Sequence, residues 1–178
     1  AHLERLNKCP HCQQRFPADG PETVDAVRRH AGRGKSWAQA QLGQFYLREE
    51  HGLRRDGRKA EKWYRAAMAT DMSMYGGAHA AFNLGVKFAK GEGVRKDLEE
   101  AKKLWTMAHE AGHAGATGNL GFLFDGGYGP AAGVPDLERA LELLHQAAEA
   151  GDAGAQAKLG FCYHHGEGVE KDLEEAIR

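Results

Sequence analysis

The stretch Ala116-Thr117-Gly118-Asn119-Leu120-Gly121-Phe122-Leu123-Phe124 carries the pattern that decides the fold, because its key residues return at the same offsets three more times. Leu-Gly stands at Leu42-Gly43, Leu84-Gly85, Leu120-Gly121 and Leu159-Gly160, so successive leucines lie 42, 36 and 39 residues apart. Four residues before each leucine is an alanine (Ala38, Ala80, Ala116, Ala155), and four after it an aromatic (Tyr46, Phe88, Phe124, Tyr163). Residues at i, i+4 and i+8 share one face of an α-helix, so this set reads as the buried stripe of a first helix. Recurrence at this length means stacked helical hairpins.

Glycines punctuate the same register. Gly34, Gly76, Gly112 and Gly151 fall eight residues before each leucine, where a left-handed cap would end the preceding helix. The glycine of each Leu-Gly pair lies inside a helix, at a cost of about 1 kcal/mol relative to alanine. Close approach of a second helix is the expected compensation.

That second helix is announced by an aspartate with an alanine four residues later: Asp56/Ala60, Asp97/Ala101, Asp136/Ala140 and Asp172/Ala176. Aspartate accepts from the orphan N–H groups of a first turn. Glu100 and Glu175 add an Asp variant of the capping box, so the starts at Asp97 and Asp172 are expected to be the stronger ones. From each alanine an apolar path follows at helical spacing, to Trp63, Tyr64 and Ala67, to Leu104, Trp105 and Ala108, and to Leu143, Leu144 and Ala147. The fourth copy stops at Ile177-Arg178.

These residues resemble the Sel-one-like repeats, relatives of the tetratricopeptide repeat with a longer turn between the helices. The Ala-x-x-x-Leu-Gly-x-x-aromatic helix, the Asp-x-x-x-Ala start and the loops Gly91-Glu92-Gly93-Val94 and Gly166-Glu167-Gly168-Val169 carry the resemblance; the first copy has only His51-Gly52-Leu53, and the third runs Tyr128-Gly129-Pro130-Ala131-Ala132-Gly133-Val134. The resemblance implies an all-α, right-handed solenoid of antiparallel hairpins over residues 36–178, with four copies, the fourth truncated. A linking helix is expected at 21–35. Because the chain lacks an initiator Met and breaks off within a unit, it is expected to be part of a longer protein.

Outside the repeat, Lys8-Cys9-Pro10-His11-Cys12-Gln13 places two thiols at the spacing of half a tetrahedral zinc site. Cys-Pro-x-Cys resembles the last ligand pair of a RING finger, so residues 1–20 are read as a partial, RING-like remnant with Cys9 and Cys12 as candidate zinc ligands. His2, His11, His30 or residues upstream would have to complete the site. A chance pair of surface cysteines and a redox Cys-x-x-Cys are the alternatives, although the strand context of a thioredoxin-like motif is missing.

Charge and composition narrow the partners. Lys and Arg number 24 against 25 Asp and Glu, a formal net charge of -1, which offers no bulk basicity for nucleic acid. No run of about 18 apolar residues is present to span a membrane, and the first residues have no signal-peptide core. Three cysteines provide no disulfide framework, which favours a reducing, cytoplasmic compartment.

Two motifs imitate chemistry. His109-Glu110-Ala111-Gly112-His113 fits His-Glu-x-x-His, but Gly112 is a repeat cap position and should end the helix between the histidines. The Gly-x-Gly loops lack the preceding strand and following Lys-Ser/Thr of a phosphate cradle. His164-His165 are adjacent on a helix, where side chains diverge by about 100°, and Cys162 is expected to be a small core residue.

Function is therefore expected at the surface. By analogy with tetratricopeptide repeats, the residue two after each leucine should line the concave face: Gln44, Val86, Phe122 and Phe161, flanked by Trp37, Arg48, Phe82, His164 and His165. Packing of Val86, Phe122 and Phe161 against the neighbouring unit is the competing reading. The resemblance implies a non-catalytic adaptor for a protein or peptide; the alternative is the substrate-recognition part of a RING-type ubiquitin ligase that also engages a ubiquitin-conjugating enzyme. Insertions at 71–77 and 126–133 are further candidate contact loops.

Overall fold

A computed structural model of the chain describes residues 21–128, 133–174 and 176. Among these are eight α-helices and no strand: α1 (Pro21–Gly32), α2 (Ser36–Arg48), α3 (Gly57–Thr70), α4 (His79–Lys90), α5 (Leu98–Glu110), α6 (Ala114–Phe124), α7 (Leu137–Glu149) and α8 (Ala153–His165). Each packs on its neighbours in sequence, most extensively α2 on α3, α4 on α5 and α6 on α7. These pairs are the three hairpins that the Leu-Gly register predicts, and α8 is the first helix of the fourth unit.

In the first three units, the glycines inside the first helices are seats for the largest fully buried side chains of the second. A Cβ on Gly43 would stand 2.7 Å from the ring of Tyr64, one on Gly85 2.5 Å from Trp105 Nε1, and one on Gly121 2.8 Å from Leu144 Cγ. Tyr64, Trp105 and Leu144 are correspondingly buried, at 1%, 0% and 1% exposure. Burial of an aromatic or leucine side chain is worth about 2–3 kcal/mol, enough to exceed the helix-propensity cost of glycine. Burial of Tyr64 also pushes its phenol well above its ordinary pKa.

The stripe itself is shifted from its expected spacing. Alanine and leucine are buried in every copy, but the third buried position falls three after the leucine, at Phe45, Leu123 and Cys162. Lys87 holds that position in the second unit, with its ammonium 3.0 Å from Glu92. The aromatics at the fourth position are only half-buried, and Tyr46 and Phe124 carry cations over their rings, Lys59 at 5.4 Å and Arg139 at 4.4 Å.

Asp56, Asp97 and Asp136 all cap their helices, accepting from the N–H of Lys59, Glu100 and Arg139 at 3.0, 3.0 and 3.1 Å. The expected advantage of Asp97 is absent, because its own N–H already donates to the carbonyl of Phe88 and leaves no donor for a reach-back by Glu100. Glu100 turns instead to Arg65 of the preceding unit. The same bond recurs from Asp56 to Tyr46, Asp136 to Phe124 and Asp172 to Tyr163, closing each turn between the two helices. In the fourth unit Asp172 accepts from the N–H of Glu174, and the N–H of Ala176 donates to its carbonyl.

Three of the four predicted glycine caps have the expected left-handed backbone: Gly34 at φ 70°, Gly112 at 82° and Gly151 at 87°. Gly76 does not. The insertion forms a π-helical turn, Met74–Ala78, that leads into α4, and Gly76 is buried there against Ser36. A side chain at Gly76 or Gly77 would collide with Ser36 or with the carbonyl of Asp71, so these glycines serve close packing. The segment expected as a linking helix is α1, whose Val24, Val27 and Ala31 bury against Ala38, Leu42 and Phe45 of α2.

Candidate functional face

The first helices α2, α4, α6 and α8 present the residues two beyond each leucine at equivalent positions along the stack. Gln44, Val86 and Phe122 are half-buried, whereas Phe161 is 46% exposed. Val86 packs on the central core and Phe122 on the cluster of Leu144, Ala147, Ala155 and Leu159. Phe122 also reaches the first turn of α8, where a Cβ on Gly154 would lie 3.7 Å from its ring.

The flanking residues divide among three places. Phe82 bridges units, stacked on His113 with ring centroids 4.4 Å apart and close to Gly115 of α6. Trp37 is half-buried beside His30 of α1, at 5.3 Å between rings, and exposed Arg48 pairs with Glu50 at 3.8 Å. At the other end, Phe161, His164 and His165 form one exposed cluster. The ring of His165 lies 4.2 Å from that of Phe161 and 4.6 Å from that of His164, and Lys158 stands 5.1 Å over the Phe161 ring.

The proximity of the two histidine rings corrects the expected divergence. They sit at the end of α8, where His165 Nδ1 meets the carbonyl of Phe161 at 3.0 Å, folding its ring back along the helix. Lys158 is held between Asp125 of the third unit, at 3.0 Å, and Glu167, at 3.6 Å. This face thus combines an aromatic ring, two imidazoles and a braced cation.

The His-Glu-x-x-His segment divides as its register predicts. His109 Nδ1 pairs with the Thr117 hydroxyl at 2.8 Å, while His113 Nδ1 accepts from the N–H of Ala116 and caps α6. His113 lies near His79, with ring centroids 5.9 Å apart. Burial lowers the imidazole of His79 to a pKa of about 4, aided by the adjacent His113, and burial likewise lowers that of His113. Both are neutral packing groups near pH 7. The Cys162 thiol is buried and pushed up by desolvation, which suits a core residue and opposes nucleophilic use.

Among the described residues no three His, Cys, Asp or Glu side chains gather as metal ligands, and no helix is long and apolar enough to cross a membrane. Cys9 and Cys12, and with them the candidate zinc site and RING-like remnant, lie outside the described residues. A feature that the motif register did not reveal is a cleft of about 490 Å³ between the first two units, bordered by Arg58 and Arg95.

Comparison with known proteins extends the picture. The Sel1 repeat model matches residues 38–68, 78–113, 116–152 and 153–178. A Sel1 repeat protein of Oxalobacter formigenes superposes with a TM-score of 0.70 at 31% identity, over 88% of this chain and 60% of that one. A protective antigen of uropathogenic Escherichia coli with an SLR fold gives a TM-score of 0.74 at 27% identity, over 86% of this chain and 31% of the antigen. The DAP3-binding cell death enhancer 1 of Rattus norvegicus is 31% identical over 102 residues, which are 57% of this chain and 18% of the rat protein. The chain thus spans less than two thirds of each of these relatives.

Proposed function

The chain belongs to the Sel1 repeat family, and from that premise we propose that it is a non-catalytic scaffold that binds a protein or peptide across its first-helix face. The observation that carries this reading is the row of equivalent positions on successive first helices, apolar in three of the four copies, Val86, Phe122 and Phe161. Around Phe161 stand two imidazoles and Lys158. An exposed aromatic flanked by polar groups is the usual composition of an interface anchor. The rat relative, by its name, binds the protein DAP3, which supports a partner of protein nature here.

A peptide-library pull-down with the wild type and with Phe161→Ala and His164→Ala/His165→Ala tests the reading. Phe161 is the clean position, because truncating Phe122 would also disturb core packing. Loss of captured peptides from folded variants is expected. Undiminished capture by both variants removes this face from the function.

A further inference from the structure

The repeat provides an internal control for the cleft between the first two units. One residue after the capping aspartate, three copies carry leucine, Leu98, Leu137 and Leu173, and the first carries Gly57. Beside α7, Leu137 and Leu141 lie against the following loop, with Leu141 Cδ1 3.2 Å and Leu137 Cβ 3.6 Å from where a Cβ on Gly168 would stand. At the matching place beside α3, Gly93 meets only the backbone of Gly57, at 3.3 Å, and Glu61 replaces the second leucine. At this place, where the two leucines are missing, lies a shallow, open cleft of about 490 Å³, lined by Phe88, Val94 and the loop glycines and bordered by Arg58, Glu61 and Arg95.

Charge changes along with shape. The register position of Arg58 is glutamate in every other copy, Glu99, Glu138 and Glu174, and the residue matching Arg95 after the last Gly-x-Gly-Val loop is Glu170. Arg58 and Arg95 are exposed, and neither guanidinium has a hydrogen-bond or ion-pair partner among the described residues. The nearby carboxylates are engaged elsewhere. Glu61 accepts from Arg65 at 2.9 Å, and Glu92 pairs with Lys87 at 3.0 Å and Lys90 at 3.9 Å. Those contacts, Lys87 first, hold Glu92 below the usual carboxylate range, so it stays charged and paired.

We propose that this cleft binds a short acidic peptide segment, which seats an apolar side chain against Phe88 and Val94 and pairs its carboxylates with Arg58 and Arg95. Guanidinium groups match carboxylates with paired, planar hydrogen bonds. The apolar walls favour a peptide over a free anion or a nucleic-acid backbone, neither of which has a side chain to bury there. None of the nine residues of the first-helix face takes part, so the two sites are separable.

Titration calorimetry with the capped hexapeptide Glu-Glu-Leu-Phe-Glu-Glu tests the proposal on the whole chain. Saturable binding is expected, weakened at least about tenfold in Arg58→Glu/Arg95→Glu, which installs the charge of the other junctions. A similar loss is expected when alanines replace the central Leu-Phe, while Phe161→Ala leaves binding unchanged. Should the double variant melt early, Arg58→Gln and Arg95→Gln singly are each expected to weaken binding severalfold. The proposal is overturned by the absence of saturable heat up to about millimolar peptide, or by wild-type affinity in the charge variants. Equal binding of the alanine peptide, inorganic phosphate or an oligothymidylate would also overturn it, as a bare anion site.

Discussion

Inside the hairpins the chain repeats one solution, whereas between them it uses three. Gly43 with Tyr64, Gly85 with Trp105 and Gly121 with Leu144 are the same glycine seat filled by three different large side chains. The junctions share no such theme. The first is an arginine-bordered cleft, the second stacks Phe82 on His113 beside His79, and the third packs leucines under Gly168 and ties Lys158 to Asp125. Interiors answer to close packing, which admits few alternatives at fixed helix spacing. Junctions are partly solvated, so their residues can differ without loss of the fold.

The sharpest way to break this contrast is at a seat. Trp105→Ala is expected to cost about 4 kcal/mol through lost burial and the cavity left behind, and Gly85→Ala about 2 kcal/mol through overpacking against the indole. Together they should cost less than their sum, since the new methyl group would then meet empty space. Urea melts of the single and double variants measure this, and strict additivity would remove the seat as the organising contact. Gly32→Ala, with nothing within 4 Å, should be neutral or slightly stabilising by comparison.

The second junction should be the one that feels acid. The folded pKa of His79 lies below its unfolded value, so the folded state prefers the neutral ring and the unfolded state binds the extra proton. Its contribution is complete above about pH 6.5 and is lost as pH falls from there toward 4, by at most about 3 kcal/mol. In His79→Gln the slope of stability against pH across that window should flatten. An unaltered slope would assign the acid sensitivity to other groups.

Smaller effects separate shared features from local ones. Asp56→Ala, Asp97→Ala and Asp136→Ala should each cost about 1 kcal/mol in thermal melts. A much larger loss at Asp97 would restore the capping box that its occupied N–H excludes. The smallest change is expected from Arg58→Glu/Arg95→Glu, whose stability should stay within about 0.5 kcal/mol of wild type even as the acidic peptide is lost. A large destabilisation would make the two arginines part of the packing.

What was legible in the sequence follows the same division. The Leu-Gly register located the hairpins, and the penalty of a helical glycine correctly implied a close neighbour, because a seat is specified by residues at fixed offsets. The contact of His79 with His113 joins residues of different units, which no local period encodes. The π-turn at Met74–Ala78 escaped because Gly76 falls in the cap register while the insertion changes its backbone. The cleft did leave a trace, in Gly57 against three leucines and Arg58 against three glutamates, but a motif search rewards sameness and passes over such departures.

The bond from each second-helix aspartate to the carbonyl of an aromatic in the first helix works as a clasp on the intervening turn. It joins residues ten, nine, twelve and nine apart, from Tyr46 to Asp56, Phe88 to Asp97, Phe124 to Asp136 and Tyr163 to Asp172. Turn length is thereby uncoupled from the registration of the helices. Natural variation can lengthen a turn without disturbing the stack, and an engineer has, in the longest of them, a place to graft a foreign loop onto an unchanged frame.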